Sequence, residues 1–211
     1  MSILGVTGSI GCGKTYACNM MQKAGGGKTS YVSVDELRRR ILGTDTRYEE
    51  VRAQLVKQFG NGIQKADGSI CGKELGQIIF YDTSENEAYR KIVYPSLTKS
   101  IEEAIQERNG LVLVEWACLV EDNLLPLVFG NTLVVTCDSD AQIQRLTGGD
   151  LPLNQIKRRI ACQLSNTEKI ARISEYQKQT GTGQLYVFDT TQNPGQEQYT
   201  ILLEKIMKAL K

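Results

Sequence analysis

The first stretch of the chain that could do chemistry is a glycine-rich turn, GSIGCGKT, at residues 8–15. It matches the pattern G-x-x-x-x-G-K-[ST] at every fixed position and follows a short apolar run at residues 3–7. In such a turn backbone N–H groups surround phosphate oxygens, the lysine reaches the β- and γ-phosphates, and the hydroxyl group ligates Mg²⁺. Lys14 and Thr15 occupy these two positions. We therefore predict a nucleoside triphosphate site rather than a chance glycine-rich turn.

The nucleotide-binding residues predicted from this motif form one continuous run. The run is Gly8, Ser9, Ile10, Gly11, Cys12, Gly13, Lys14, Thr15 and Tyr16. We predict ATP as the phosphate donor. Within the run, Lys14 is also assigned a catalytic role and Thr15 is assigned as the Mg²⁺ ligand. Cys12 stands at a free position of the motif, so we interpret it as tolerated there rather than as a nucleophile.

A triphosphate site leaves the reaction open among kinases, switch GTPases and transport ATPases. The NKxD-type guanine signature of a GTPase is absent from the sequence. LTGGD at residues 146–150 superficially resembles the signature loop of transport ATPases, but the acidic strand end that should follow that loop is missing. A small-molecule kinase is therefore the favoured class.

Composition excludes several other chemistries. The 211-residue chain contains no histidine, which rules out Ser-His-Asp and Cys-His triads and histidine-ligated zinc. A net charge of +1 does not favour nucleic acid, and no apolar run is long enough to span a bilayer. The six cysteines are scattered without a CxxC pair, as small hydrophobes in a reduced compartment would be. We expect a cytoplasmic protein with small-molecule substrates, no membrane contact and no obligate protein partner.

A carboxylate near the acceptor hydroxyl is the next requirement of a kinase. Asp35 follows a predicted strand at residues 31–34, and it could accept the proton of the acceptor hydroxyl. The alternative is that Asp35 is the N-cap of a helix starting at Glu36, and the two roles are compatible. Glu115 closes the predicted strand LVLVE, where it either orients Mg²⁺ through water or is a paired structural carboxylate.

Strands and helices alternate along the chain, which predicts an α/β fold with a parallel sheet. Further strands are predicted at residues 111–115, 132–137 and 185–189. The mainly helical stretch 36–108 is too long for a simple crossover, so we interpret it as an insertion. Its last helix, at residues 85–108, should be interrupted near Pro95, and Asn193 should be the N-cap of the final helix.

Several motifs together resemble the dephospho-coenzyme A kinases. They are GVTGSIGCGKT, VSVDELRR, FGNGI, ADGSI, LGQIIF, IVYP and RRIACQLSNTEK. The motifs occur in the family's order and spacing, and they extend through nearly the whole chain. The resemblance implies transfer of the ATP γ-phosphate to the ribose 3′-hydroxyl of dephospho-CoA. It also implies a P-loop NTPase three-layer fold formed by one domain, residues 1–211, with an inserted helical substrate-binding region and a helical lid. The resemblance divides this domain into a nucleotide core (about 1–35, 109–140 and 165–211), a CoA-binding region (about 36–108) and the lid (about 141–164).

The resemblance also assigns residues. Asp35 matches the family's catalytic aspartate, Arg39 the arginine that follows it in the acceptor site, and Gln163 a glutamine just after the lid helix. Tyr94 replaces the usual histidine before Pro95 and is expected to contact substrate.

Three further departures accompany these matches. Ser33 replaces an aspartate, Ala117 replaces a proline, and the lid arginine is missing near residues 148–150. Candidates for the missing lid cation are Arg145, Arg158 and Arg159. Another small-metabolite or nucleoside kinase, or a degenerate sensor that binds nucleotide or CoA, stays open as an alternative.

Overall fold

The computed structural model of the protein describes residues 1–147, 156, 160 and 163–210. Five strands alternate with helices along this part of the chain. The strands are β1 (Ser2–Thr7), β2 (Thr29–Ser33), β3 (Leu111–Glu115), β4 (Thr132–Thr136) and β5 (Leu185–Asp189). The helices are α1 (Lys14–Gly25), α2 (Val34–Leu42), α3 (Glu49–Phe59), α4 (Gly72–Ile79), α5 (Thr83–Gln106), α6 (Ser139–Thr147), α7 (Asn166–Thr180) and α8 (Gln196–Ala209).

The strands form one parallel sheet in the order β2-β3-β1-β4-β5. The central strand β1 pairs with β3 from Ser2 opposite Leu111, and β4 pairs with β5 from Thr132 opposite Leu185. All five residues of β3 are buried, as expected for a central parallel strand that is covered on both faces. The predicted α/β class with a parallel sheet is confirmed.

The main apolar core lies between the sheet and helices α1 and α8, which pack against each other. Its buried members come from both helices and from one face of the strands, and they include Leu4, Val6, Met21, Leu113, Leu133, Val135, Tyr199 and Ile206. This core holds the end of β1 and the start of α1 in place, and the glycine-rich turn connects these two elements.

Two compact units divide the chain. We call Met1–Val32 with Glu107–Lys211 the sheet unit and Ser33–Gln106 the helical unit. Inside the helical unit, α5 packs against α2, α3 and α4. The buried Arg52 ties α2 to the turn that follows it, because its guanidinium donates to the carbonyls of Ile41 (3.3 Å) and Asp45 (2.9 Å). The assignment of these parts to nucleotide, CoA and lid functions stays a prediction.

The predicted interruption of helix α5 near Pro95 was wrong, because the helix continues through this residue. Proline removes a single backbone donor, and the cost is offset when the turns on both sides are well packed. Here the flanking residues Tyr89, Val93, Leu97 and Ile101 are all buried. Tertiary packing therefore continues the helix where local propensity predicts a break.

The start of α2 corrects a second prediction. The helix begins at Val34, and its N-cap is Ser33, whose side chain accepts a hydrogen bond from the Glu36 amide. The interpretation of Asp35 as an N-cap was therefore wrong, since Asp35 already lies in the first helical turn. A carboxylate there still interacts favourably with the positive end of the helix dipole.

The start of α8 corrects a third prediction. Asn193 is not its N-cap, because it has a left-handed φ of 48° and the helix begins only at Gln196, after the N-cap Gly195. The Asn193 amide oxygen accepts a hydrogen bond from Arg145 at 2.8 Å. That side chain is therefore used in a tertiary contact and does not cap the helix.

Helix α7 was not identified from the sequence, although its signal is present. Ser165 and Glu168 form a capping box in which each side chain bonds the other residue's backbone N–H. The predicted lid helix at residues 153–164 falls mostly outside the described residues. None of the described helices is long and apolar enough to cross a membrane.

Candidate active site

The glycine-rich turn adopts backbone angles that require glycine at specific positions. Gly8 has φ of 141°, and a Cβ atom there would lie 2.1 Å from the Val135 carbonyl oxygen of β4. Gly13 is the N-cap of α1 with a left-handed φ of 80°. Only glycine adopts such conformations without strain, so the pattern fixes how the turn leads into α1. The positive end of α1 consequently lies at the turn, as anion binding requires.

Lys14 and Thr15 begin α1 and are held by different partners. Lys14 is buried, and its ammonium group donates to the Ser9 carbonyl at 3.1 Å. The Thr15 hydroxyl lies 3.1 and 3.2 Å from the two carboxylate oxygens of Glu115. Glu115 is also buried at the end of β3, and it accepts a further hydrogen bond of 2.5 Å from the Tyr31 hydroxyl. The structure thus brings Thr15 and Glu115 together.

Thr15 and Glu115 form a set of oxygen ligands of the kind that Mg²⁺ prefers. A buried carboxylate is costly unless its oxygens are satisfied, and here hydroxyl groups satisfy them beside the phosphate turn. Both interpretations of Glu115 made from the sequence are therefore compatible with its surroundings.

Side chains from the segment before and within α7 hold the outer part of the turn. The Asn166 side-chain oxygen accepts from the Ser9 amide at 2.9 Å and from the Ser9 hydroxyl at 3.1 Å. The Gln163 side-chain oxygen accepts from the Ile10 amide at 2.9 Å. From α6, Gln142 donates to the Ile10 carbonyl at 2.7 Å. Two of the backbone N–H groups predicted to hold ATP therefore bond protein side chains in this structure.

Arg145, one of the lid cation candidates, lies in the last turn of α6 against the loop after β5. Its guanidinium donates to the Thr190 hydroxyl at 3.0 Å, to the Thr190 carbonyl and to Asn193, and it reaches the Gly11 carbonyl at 3.5 Å. Thr190 in turn donates to the Cys12 carbonyl at 3.0 Å. Arg145 thus braces the phosphate turn through its carbonyl groups.

The other two lid candidates, Arg158 and Arg159, lie outside the described residues. Tyr16, the last residue of the predicted nucleotide run, is exposed, and its ring meets Tyr199 of α8 edge to face at 5.9 Å.

A buried ion pair between Lys169 and Glu121 connects α7 to the segment after β3. The Lys169 side chain is completely buried and donates to the Glu121 carboxylate and to the Ala117 carbonyl at 2.8 Å. Glu121 also accepts from the Leu164 amide at 3.0 Å. The pair thus connects the segment after β3 to the segment that carries Gln163 and Asn166.

Neither the Lys169–Glu121 pair nor the role of Asn166 was predicted from the sequence. Only the capping box at the start of α7 could have pointed to Lys169 and Asn166, by placing both side chains on one helix.

The predicted acceptor residues lie in the helical unit. Asp35 pairs with Arg38 at 3.0 Å one turn later in α2. Burial acts to lower the pKa of Arg38, but Tyr89 and Asp35 hold this pKa above its ordinary value. Tyr89 packs edge to face on Tyr94 at 6.5 Å. A continuous chain of contacts therefore connects Asp35 with Tyr94, whereas Arg39 is exposed.

An open hollow of about 660 Å³ lies beside Tyr94 on α5. The Arg90 guanidinium stacks over the Tyr94 ring at 4.8 Å, and Lys91 and Lys99 also line the hollow together with Glu102. Three cations and one carboxylate leave a net positive charge on this surface, which suits a phosphorylated ligand.

Comparison with known proteins identifies the family. The family model for dephospho-CoA kinase matches residues 2–179, which include the phosphate turn and the whole helical unit. The chain belongs to the dephospho-CoA kinase family. It is 30% identical to the dephospho-CoA kinase of Dehalococcoides mccartyi over 175 residues, with 81% of this chain and 84% of the relative covered. The dephospho-CoA kinase of Shouchella clausii is 30% identical over 184 residues, with coverage of 85% and 90%.

Solved structures support the fold. A crystal structure of a Thermus thermophilus protein superposes with a TM-score of 0.76 at 20% identity, covering 100% of this chain and 98% of the other. The dephospho-CoA kinase from Campylobacter jejuni gives 0.54 at 19% identity, with 100% and 97% covered. At such identities the likeness shows the fold alone, and this agrees with the predicted α/β fold with a parallel sheet.

Two positions that the sequence resemblance marks as departures, Ser33 and Ala117, have clear structural roles here. Ser33 caps α2, a role that serine fills as well as aspartate. Ala117 contributes its carbonyl, which accepts from Lys169 and from the Thr7 hydroxyl at 3.1 Å. These bonds use only the backbone carbonyl, which a proline also has.

Proposed function

We propose that the protein transfers the γ-phosphate of ATP to the ribose 3′-hydroxyl of dephospho-CoA and so completes coenzyme A. The observation that carries this proposal is the family match over residues 2–179, because it includes both the phosphate turn and the helical unit. The five free cysteines among the described residues fit a thiol-reducing compartment, and we propose the cytoplasm.

The donor side of the proposed reaction depends on the start of α1. We assign the amides of the turn that do not bond Gln163 or Asn166 to the phosphate oxygens, with Lys14 balancing negative charge on the β- and γ-phosphates. Thr15, with Glu115 behind it, would hold Mg²⁺, which when bound supplies further charge neutralisation at the phosphates. Phosphoryl transfer needs alignment and charge stabilisation more than covalent chemistry. The braces on Ser9 and Ile10 support this role because they keep the turn in one conformation.

The acceptor side of the proposed reaction depends on Asp35. We assign its carboxylate the task of holding the 3′-hydroxyl and accepting its proton as the bond to phosphorus forms. Asp35 pairs with Arg38 at 3.0 Å, and this contact holds its carboxylate on α2. Arg39 and the cationic hollow beside Tyr94 are assigned to the phosphate groups of dephospho-CoA. The cation of the lid is assigned to Arg145, Arg158 or Arg159.

Asp35→Asn tests the base assignment. We expect kcat to fall about 100-fold, since general-base catalysis contributes factors of this order, while the Kd for ATP changes less than about twofold. Glu36→Gln is the matched control, because Glu36 is an exposed carboxylate in the same turn and should leave kcat near the wild-type value. Wild-type turnover by Asp35→Asn would refute the assignment.

An acceptor screen tests the reaction itself. ATP consumption should be measured with dephospho-CoA, with adenosine and with the other common nucleosides. Turnover with dephospho-CoA alone is the expected result. Turnover with a nucleoside would support a different kinase, and tight binding of dephospho-CoA without turnover would support a sensor.

A further inference from the structure

Two cysteines that are far apart in the sequence meet at the phosphate turn. The Cys137 thiol, directly after β4, donates a hydrogen bond to the Cys12 sulfur at 3.3 Å. Cys12 lies between Gly11 and Gly13 inside the turn and is 1% exposed, whereas Cys137 is half-buried. Both are free cysteines in the described part of the chain, and their two sulfur atoms are in direct contact.

We propose that Cys12 and Cys137 form an oxidation site at which a hydroperoxide produces a disulfide, and that this disulfide weakens ATP binding. In the first step the more accessible Cys137 sulfur attacks the peroxide O–O bond, which gives a sulfenic acid at Cys137 and releases an alcohol, or water from hydrogen peroxide. In the second step the Cys12 sulfur attacks the Cys137 sulfur, the S–S bond forms and water leaves. The two thiols lose two electrons and two protons, and the peroxide is reduced.

The geometry favours this pair because closing the bond needs little movement. A disulfide has an S–S distance of about 2.05 Å, so the sulfurs must approach by roughly 1.3 Å from their present contact. The turn has glycines on both sides of Cys12, with φ of 81° at Gly11 and 80° at Gly13. These positions tolerate rotations that other residues resist, so the turn is the element that would move.

The consequence for the nucleotide follows from the location of Cys12. Its carbonyl accepts from Thr190 and its amide donates to the Ser9 carbonyl at 3.3 Å, so moving Cys12 displaces both contacts. The amides that surround phosphate belong to the same turn. A displacement of about 1 Å in a binding geometry can cost a factor of ten or more, and we expect at least tenfold weaker ATP binding in the disulfide form.

The reaction should be slow at neutral pH and faster in alkali. Burial, followed by the hydrogen bond with Cys12, raises the pKa of Cys137 to about 12. Arg145 acts to lower this pKa and Asp138 to raise it. Because the thiolate is the reactive form, the oxidation rate should rise with pH without a plateau below this value.

The experiment treats the full chain with hydrogen peroxide at pH 8.5 and follows the cross-link by mass spectrometry. Trypsin releases residues 1–14 with Cys12 as their only cysteine, and a second cleavage after Glu121 separates Cys118 from Cys137. We expect a peptide pair joined through Cys12 and Cys137, which dithiothreitol separates. ATP binding should weaken at least about tenfold on oxidation and recover after reduction.

Cys137→Ser is the decisive variant because it keeps every residue of the phosphate turn, and serine still carries an O–H donor in place of the Cys137 S–H. It should bind ATP normally before and after peroxide, whereas Cys118→Ser should respond like the wild type. The proposal is overturned if the Cys12–Cys137 peptide does not form, if it forms without changing ATP affinity, or if Cys137→Ser loses affinity as the wild type does. None of these measurements uses dephospho-CoA, so a failed acceptor screen would leave them valid.

Discussion

The phosphate turn of the sheet unit and the surface of the helical unit that we propose for the acceptor (Asp35, Arg38 and the hollow beside Tyr94; below, the acceptor surface) are built in opposite ways. The turn is fixed by backbone geometry and by side chains that reach it from distant parts of the chain, such as Gln142, Gln163 and Asn166. The acceptor surface consists of long side chains on α2 and α5 that pair with near neighbours, as Asp35 does with Arg38. A rigid cradle suits a phosphate chain whose atoms must be aligned, whereas adaptable side chains suit a larger acceptor.

The ion pairs of the two units show the same contrast. Lys169 is fully buried and meets Glu121 at close range in the sheet unit. In the helical unit, Lys99 and Glu103 are 3.9 Å apart, and their side chains are 77% and 48% exposed. Solvent screens the second pair strongly, whereas the first pair, in which Glu121 is only 18% exposed, is screened much less. If the comparison is right, changes in the sheet unit should cost far more than equivalent changes in the helical unit.

Gly8→Ala should have the largest effect. The added Cβ would lie 2.1 Å from the Val135 carbonyl, at a φ of 141° that alanine rarely adopts. We expect the free energy of unfolding to fall by about 3 kcal/mol and ATP binding to weaken by more than about 100-fold. Urea denaturation and calorimetric titration with ATP measure the two effects.

The control for Gly8→Ala is Gly27→Ala in the same unit. Gly27 has open space where its Cβ would be and no positive φ. Its replacement should leave both the unfolding free energy and ATP affinity near the wild-type values. Equal effects of the two substitutions would show that the steric limit at Gly8 does not govern the turn.

Lys169→Met should come next, with a loss of about 3 kcal/mol of unfolding free energy, because it leaves the Glu121 carboxylate without its cation in a mostly buried place. Lys99→Met removes the same type of charge from the exposed pair and should cost about 0.3 kcal/mol. Thermal and urea unfolding of both variants give the difference directly. Similar losses from the two substitutions would contradict the contrast between the units.

The same contrast explains what could be predicted from the sequence. The phosphate turn was predictable because its constraints are local: Gly8 and Gly13 need special backbone angles, and Lys14 and Thr15 follow in fixed order. Asn166 was not predictable as its brace, because 157 residues separate it from Ser9. The continuation of α5 through Pro95 was missed for a related reason, since its cost is offset by buried neighbours whose packing a linear pattern does not show.

Asn166→Ala tests the brace and should have a moderate effect. Removing this acceptor leaves the Ser9 amide without its partner, so ATP binding should weaken about fivefold, near 1 kcal/mol for one such bond. Hydrogen exchange at the Ser9 amide should accelerate, a readout that a general loss of stability would not confine to the turn. Thr167→Ala, at the exposed neighbouring position, should leave both readings unchanged. If the exchange rate of the Ser9 amide were unchanged in Asn166→Ala, Asn166 would not be the residue that holds this part of the turn.

Asp45→Asn in the helical unit should have the smallest effect, and pH should control it. The hydrogen bond from Arg47 comes first among the interactions that hold the pKa of Asp45 well below its ordinary value. A carboxyl whose folded pKa is depressed adds stability above its unfolded pKa of about 4, and this stability is lost as pH falls through the folded pKa. The wild type should therefore be slightly more stable than Asp45→Asn at pH 7, and the gap should narrow from about pH 4 downward. Asparagine keeps the capping oxygen for the Arg47 amide, so the variant isolates the charge. Urea midpoints measured from pH 7 to pH 3 give this gap, and a gap that widens in acid would contradict the assignment.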